Sequence, residues 1–410
     1  MIITFVSNYI NHHQLPFCRA MENIGKDVEF YFVQTMPMEE KRRSMGWMVE
    51  EDSIPYLVLS YRDEKRAKEL ILNSDVVLFG WTEGLLMDLR DKRLSSGKLS
   101  FCVSERIYRE GQWKMISPRG LISKYKEHGK YRNKPVYLLC TGAYVASDFS
   151  LIRSYPGKML KWGYFPDVNA FEKSDMNSRM SVTGGGLNQS EDEDIISMLW
   201  AGRLIDLKHP EFAIKLAGSL KKEGYRFRLD ILGDGPLKDT LKDLIRKNNL
   251  MDVIGFHGGK SPKEVLQFMR ESDIFLFTSN YLEGWGAVVN EAMGCGCAVV
   301  ASEEAGSVPF LIENGKNGLS YQNGDYKDFE RKVRSLFEDP GLIGELGEEA
   351  SETIANEWNA DLAALELVRF CRQALNGETP IPAAGGPMSI AEVIKAPGLL
   401  RTMQEKNHLE

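Results

Sequence analysis

The feature that most restricts what this chain can fold into is a rhythm of short apolar, β-rich runs alternating with helical patterns, and the rhythm occurs twice. The first series has runs at "IITFVSN" (2–8), "VEFYFV" (28–33), "DVVLFG" (75–80), "LSFCVS" (99–104) and "PVYLLC" (135–140), with helical segments between most of them. The second has "IISMLWAG" (195–202), "RFRLDILG" (226–233), "DVIGFHG" (252–258), "DIFLFTS" (273–279) and "AVVAS" (298–302), interleaved with helices over 208–223, 236–248, 262–271, 286–294 and 325–338. Strands alternating with helices in this way predict parallel sheets of α/β type. Between the series the pattern breaks: "YPGKMLKWGYFPDVNAF" is rich in Pro and aromatics, and "SVTGGGLNQSEDED" is polar, glycine-rich and aperiodic, a flexible excursion. The predicted organisation is a first domain over 1–165, a linker and flexible loop over 166–194, and a second domain over 195–356. A C-terminal helix over 357–376, free to return to the first domain, precedes a tail over 377–410. Two doubly wound Rossmann-like domains of this kind face one another across a cleft at the carboxyl ends of their strands, where such sheets bind ligands.

At 410 residues the chain exceeds what one hydrophobic core usually serves, in keeping with two domains. The opening "MIITFVSNYI" lacks a basic flank and a long apolar run, so it reads as a first strand and not as a signal peptide. No stretch reaches the length of a transmembrane helix. Six cysteines without a Cys-x-x-Cys pair argue against a disulfide framework and against a zinc site, and a cytoplasmic protein is expected. Net charge is −7 but unevenly shared: residues 1–165 hold 25 Lys and Arg against 19 Asp and Glu, and the remainder 26 against 39. A basic half favours an anionic partner. Nucleic acid is not the expected one, because no recognised binding motif accompanies the charge.

Three stretches of the second series carry chemistry. In "AGRLIDLKHPEFAIKLA" a strand ends at Gly202, Arg203 follows, and Lys208 stands just before a helix; guanidinium and ammonium so placed suit a pyrophosphate, whereas as isolated residues they read first as solvated loop charges. In "LGDGPLKDTLK", Gly233 and Gly235 permit a tight turn and Pro236 fits a first helical turn, without the Gly-x-Gly-x-x-Gly of a dinucleotide site. In "EGWGAVVNEAMGCGCAVVAS", Gly284 and Gly286 flank Trp285 ahead of a helix whose N-terminal amides suit a phosphate. Glu283 precedes that helix and Glu291 lies within it; seven intervening residues, if helical, span about 12 Å. That separation suits two ends of one extended ligand better than a shared proton, since a retaining glycosidase needs its carboxyls about 5 Å apart. The bland alternative is ordinary surface charge. Cys295 and Cys297 read as small packing residues.

In this order and spacing, "AGRLIDLKHP", "LGDGP", "GFHG", "SPKEVLQFMRESDIFLFTS" and "EGWGAVVNEAMGCGCAVVAS" resemble the C-terminal domain of GT-B-fold retaining glycosyltransferases of the group 1, or family 4, type, over roughly residues 195–320. The resemblance implies a hexosyltransferase-type enzyme moving a sugar from a nucleoside-diphosphate donor to an acceptor hydroxyl with retention, in polysaccharide or glycoconjugate synthesis. It implies Arg203 and Lys208 at the diphosphate, Glu283 at the donor-sugar hydroxyls, Glu291 at the ribose, and the backbone of Gly284, Trp285 and Gly286 at the phosphate and sugar. Gly233 falls at the donor as well, and Phe256 and His257 at the base pocket. No metal and no other cofactor is expected, the basic pair taking that part.

The first half departs from the family. The loop after its first strand, "SNYINHHQLP", lacks the Gly-Gly pair of many members, and no mid-domain histidine is evident. His12 and His13 at that strand's carboxyl end, with Ser104 and Glu105 of "FCVSERIYR", are the acceptor-side candidates, for a carbohydrate or lipid-linked acceptor. The basic, tyrosine-bearing run "ISKYKEHGKYRNK" (122–134) reads either as a solvated loop or as a peripheral membrane contact. Two other functions share the pattern: a non-catalytic nucleotide-sugar-binding protein, and a GT-B sugar-nucleotide epimerase.

Overall fold

The computed structural model describes residues 1–38, 50–82, 86–167, 195–322 and 324–397. The chain forms two compact units: one comprises Met1–Asp167 with the described part of Glu357–Leu399, the other the described part of Val168–Asn356. The polar stretch 181–194, read as a flexible excursion, lies outside the described residues, as does most of the linker.

The first unit is built on a parallel sheet of β1 (Ile2–Ser7), β2 (Glu29–Gln34), β3 (Leu57–Leu59), β4 (Val76–Phe79), β5 (Ser100–Ser104), β6 (Val136–Thr141) and β7 (Met159–Trp162), in the order β3-β2-β1-β4-β5-β6-β7. β1 is central, Phe5 lying opposite both Phe32 and Leu78. Its residues from Ile3 to Val6 are buried on both sides of the strand, as in a parallel sheet covered on both faces, and the one polar residue among them, Thr4, shares a hydrogen bond with Ser74 (2.7 Å). The strand order reverses between β1 and β4, so the loops leaving their carboxyl ends diverge there.

Two corrections concern this unit. The sequence shows a break over 156–190, yet Met159–Trp162 forms a strand; Pro156, Gly157 and Gly163 crowd so short a run that its pattern is masked. Nor is 377–410 simply a tail. Met388 N donates to Lys161 O (2.9 Å), Lys161 N to Ser389 O (2.7 Å) and Ala391 N to Met159 O (3.0 Å), so residues 388–391 run along β7 and satisfy its outer groups. An open sheet edge would otherwise template association. Helix Ala360–Leu375, capped by the Asn359 side chain, belongs to this unit too. It sets Phe370 against Phe101 and Tyr137, and Arg372 on Asp27 at 2.6 Å.

The second unit has β8 (Ile196–Ala201), β9 (Phe227–Leu232), β10 (Ile254–Gly258), β11 (Ile274–Phe277), β12 (Ala298–Ser302) and β13 (Leu319–Tyr321), parallel throughout in the order β10-β9-β8-β11-β12-β13. Counted from β8 this is the 3-2-1-4-5-6 arrangement of nucleotide-binding sheets, reversing between β8 and β11. Trp200, Phe212, Ile231, Leu276, Val300 and Phe329 form its core. β13 and helix Gly341–Asn356 are absent from the sequence reading. That helix carries glycines at 341, 344 and 347, which lower its propensity. Gly347 is nevertheless required, for a Cβ there would stand 2.3 Å from the Gly296 carbonyl oxygen. No described helix is long and apolar enough to cross a membrane.

Candidate functional site

The carboxyl ends of β8 and β11, at the reversal in the second sheet, bring the strongest candidates together. β8 ends at Ala201, and the chain turns through Gly202 and Arg203 to a 3-10 turn, Asp206–Lys208. Long-range bonds lock this loop to the one leaving β11. The Trp200 indole donates to Thr278 Oγ1 (2.8 Å), Thr278 donates to the Lys208 carbonyl (2.6 Å), and Asn280 N donates to the Leu207 carbonyl (2.8 Å). His209 completes the lock from a left-handed backbone, φ +45°. Its Nε2 faces the Asn280 amide nitrogen (3.2 Å), whose oxygen accepts from Leu282 N (3.0 Å), so Nε2 is the acceptor and Nδ1–H donates to Glu211 (2.7 Å).

The two cations of this loop end in different states. Lys208 lies with its Cδ 3.8 Å from where a Cβ on Gly202 would stand; its ammonium ion-pairs with Glu283 and sits 5.7 Å from the Phe277 ring centroid. Both partners are largely withdrawn from solvent, their side chains 13% and 15% exposed. Arg203 is exposed and has no side-chain partner among the described residues. Lys208 and Glu283, which belong to separate motifs, are thus in direct contact.

Beyond Glu283 the turn is steric in origin. Gly286 has φ +90°, and a Cβ on it would meet Phe277 Cζ at 2.6 Å, so glycine alone fits. Helix Ala287–Gly294 starts there. Trp285 is turned inward, 1% exposed, its Nε1 donating to the fully buried Asn290 (2.8 Å), so its ring anchors the turn and only its backbone remains to meet a ligand. Glu291 is half-buried on the helix, and burial pushes its carboxyl up to about 7. Cys295 and Cys297 are buried packing residues, and all six cysteines are free thiols.

Gly233 touches this site through backbone. At φ +151° its Cβ would stand 1.9 Å from the Gly202 carbonyl oxygen, and its N–H bonds Gly258 (2.8 Å), tying the ends of β8, β9 and β10. Phe256 and His257, paired in the sequence reading as lining one pocket, part company because neighbours on a strand point oppositely. Phe256 packs on the core beneath Lys242, whereas His257 Nε2 meets Asp230 at 2.6 Å and its ring lies 4.8 Å from Phe268.

In the first unit the acceptor-side candidates gather around a residue the sequence reading missed. His12 and His13 follow β1 with ring centroids 3.8 Å apart. Burial lowers His12 to about 4; burial and then the neighbouring His12 charge lower His13 to about 3, so both rings are neutral at physiological pH. Tyr164 lies 5.7 Å from the His13 ring and donates to Glu105 at 3.5 Å, and Glu105 is ion-paired with Arg109. Ser104 turns away, donating to the Glu105 carbonyl (2.8 Å). Behind them Arg106 and Asp148 form a buried ion pair that fixes the loop after β5, Asp148 also accepting from Tyr108 N and Gln112. Tyr164 escaped notice because its signal lay inside the Pro- and aromatic-rich break.

This arrangement, a Rossmann-like sheet pair of which one carries phosphate-suited cations at its strand-order reversal, defines a GT-B-type protein. Solved structures agree: Anabaena HepE in complex with UDP superposes with a TM-score of 0.65 at 14% identity, over 92% of this chain and 100% of that one. Sucrose-phosphate synthase from Thermosynechococcus elongatus does so at 0.62 and 14%, over the same shares. Within that fold, residues 188–354 match the family model "Glycosyl transferases group 1". D-inositol 3-phosphate glycosyltransferase of Streptomyces bingchenggensis is 29% identical over 193 residues, 45% of this chain and 42% of that protein. Amylovoran biosynthesis glycosyltransferase AmsK of Erwinia amylovora is 29% identical over 180 residues, 43% and 44% respectively. The chain thus spans about two fifths of the length of these curated relatives.

Proposed function

We propose that this chain is a retaining glycosyltransferase, transferring a hexosyl group from a nucleoside-diphosphate sugar to an acceptor hydroxyl in polysaccharide or glycoconjugate synthesis. The observation that carries the reading is the contact of Lys208 with Glu283 beside Arg203, at the carboxyl ends of β8 and β11. A diphosphate placed there has two cations to neutralise it, and a sugar on that diphosphate has a carboxylate for its hydroxyls. The group 1 match, the UDP bound by HepE and the amylovoran role in the name of AmsK support the same reading.

In this reaction the bond from the anomeric carbon to the diphosphate oxygen breaks, and a bond to the acceptor oxygen forms on the same face. The acceptor proton passes to the leaving phosphate, whose developing charge Arg203 and Lys208 stabilise. Because those two side chains supply the positive charge, the reading calls for no metal and no further cofactor. Glu291 takes the ribose hydroxyls, and Gly233 with the backbone of Gly284, Trp285 and Gly286 approaches the phosphates and sugar. His12 and His13, neutral through burial, serve the acceptor as hydrogen-bonding groups and not as cations, with Glu105 beside them. The working location is the cytoplasm, where nucleotide sugars are the donor pool.

The test is titration with a panel of nucleoside diphosphates and their sugars, followed by product analysis with and without acceptor. Arg203→Ala should weaken the diphosphate by about 10- to 100-fold and the free nucleoside hardly at all, the loss of a charge-assisted bond being about 1.5–3 kcal/mol. Equal losses for both ligands would place Arg203 outside the phosphate site. Donor conversion to another sugar nucleotide without acceptor would make the protein an epimerase, and inversion at the anomeric carbon would remove the retaining assignment.

A further inference from the structure

Helix Pro118–Glu127 is anomalous: none of its ten residues is buried. A surface helix ordinarily sets its apolar stripe against the core. Here Leu121, Ile122 and Tyr125, spaced three and four residues apart so that they share a face, are 39%, 57% and 62% exposed. The adjoining 3-10 turn Gln112–Ile116 adds Trp113 at 53% and Ile116 at 75%, again on one side because residues three apart eclipse. Ser117 joins the two elements and caps the helix, accepting from Gly120 N at 3.3 Å. Scattered exposed apolar residues are unremarkable, but five within thirteen positions on adjoining elements mark a contact surface.

Charge identifies what that surface meets. Residues 112–134 contain seven Lys and Arg and one acid, Glu127, while the rest of 1–165 contains eighteen of each sign, so the whole basic excess of residues 1–165 lies in this stretch. Lys124 is held by Glu127 and Lys130 by Asp91. Arg119, Lys126, Arg132 and Lys134 are exposed and make no ion pair among the described residues. Two copies meeting through this face would bring like charges together, which opposes self-association. An aromatic and aliphatic wedge ringed by lysine and arginine matches the headgroup region of a bilayer, where tryptophan and tyrosine settle and basic side chains find anionic lipid. The geometry points to an anionic lipid surface as the partner of the 112–134 face, with Trp113, Ile116, Ile122 and Tyr125 entering the interface and the basic residues contacting the headgroups. This goes beyond the basic run seen in the sequence, because the apolar wedge begins nine residues earlier, and it does not depend on the donor reading above.

The full chain should sediment with vesicles of phosphatidylcholine containing phosphatidylglycerol, and not with phosphatidylcholine alone, and high salt should release it. Arg119→Glu with Lys126→Glu should lower partition by about tenfold or more, and Ile122→Ser by several-fold. Brominated acyl chains should quench part of the tryptophan emission, and Trp113→Phe should remove that part. Absence of anionic-selective binding by folded wild-type protein, with folding checked by circular dichroism, overturns the proposal. So does binding that survives both the charge reversal and Ile122→Ser. A lipid-free dimer dissolved by Ile122→Ser would assign the face to a second copy and overturn it equally.

Discussion

Lys208 cannot meet an incoming phosphate at full charge while Glu283 holds its ammonium. On the proposed reading the carboxylate competes with the diphosphate, and binding a donor would exchange one anion for another. Glu283→Gln keeps the shape and removes the competitor, so nucleoside diphosphate affinity should rise about fivefold, the equivalent of a partly buried pair worth about 1 kcal/mol. Transfer should fall in the same variant, because the sugar loses its carboxylate. Lys208→Met should do worse than a simple loss of charge, since it leaves Glu283 partly buried without its cation. Calorimetric titration of both variants decides the matter; weaker diphosphate binding by Glu283→Gln would mean that Glu283 supports the phosphate site and does not compete for it. At this scale the candidates legible in the sequence were those whose motif spacing is local, such as Arg203, Lys208, Glu283 and Glu291. Thr278, His209 and Asn280 were not, since all three lock loops some seventy residues apart, partnerships that no local pattern reveals, and Asn290 was not, since nothing in its helix marks it as the acceptor for an indole five residues back.

Elements were legible where burial imposed a long period and hidden where a few residues or a packing demand overrode propensity. β12 lies where the sequence places it, whereas β3 and β13 have three residues each and give no periodic signal. Helix Gly341–Asn356 went unseen for its glycines, and those glycines differ in kind. A Cβ at Gly344 meets nothing within 4 Å, while one at Gly347 meets the Gly296 carbonyl oxygen at 2.3 Å. Gly344→Ala should stabilise the second unit by about 0.5–1 kcal/mol, the helical advantage of alanine. Gly347→Ala should destabilise it by about 1–3 kcal/mol, because overpacking outweighs the same advantage. Urea unfolding of the two variants gives the comparison, and a shift of the same sign in both would refute the close-approach argument for this helix.

Taken whole, the molecule has its first unit made from two separate stretches of the chain, with residues 388–391 covering β7 and helix Ala360–Leu375 packed on helix Leu15–Asn23 in the same unit. From the sequence the helix is free to return and only a tail is visible beyond it, since a Pro- and Gly-rich segment carries no pattern announcing a sheet partner. Removing residues 377–410 should bare the edge of β7. The shortened chain is expected to unfold at lower temperature and to associate as its concentration rises, with sedimentation velocity as the measure; an unchanged monomer of unchanged stability would show that the edge needs no cover. The same arrangement sets an order of events during translation. Residues 1–167 leave the ribosome first, but the cover for Met159–Trp162 is made roughly 230 residues later, on the order of tens of seconds at about 5–20 residues per second. In the interval the entire second unit can emerge and fold, so of the two units the one begun earlier is the one completed later.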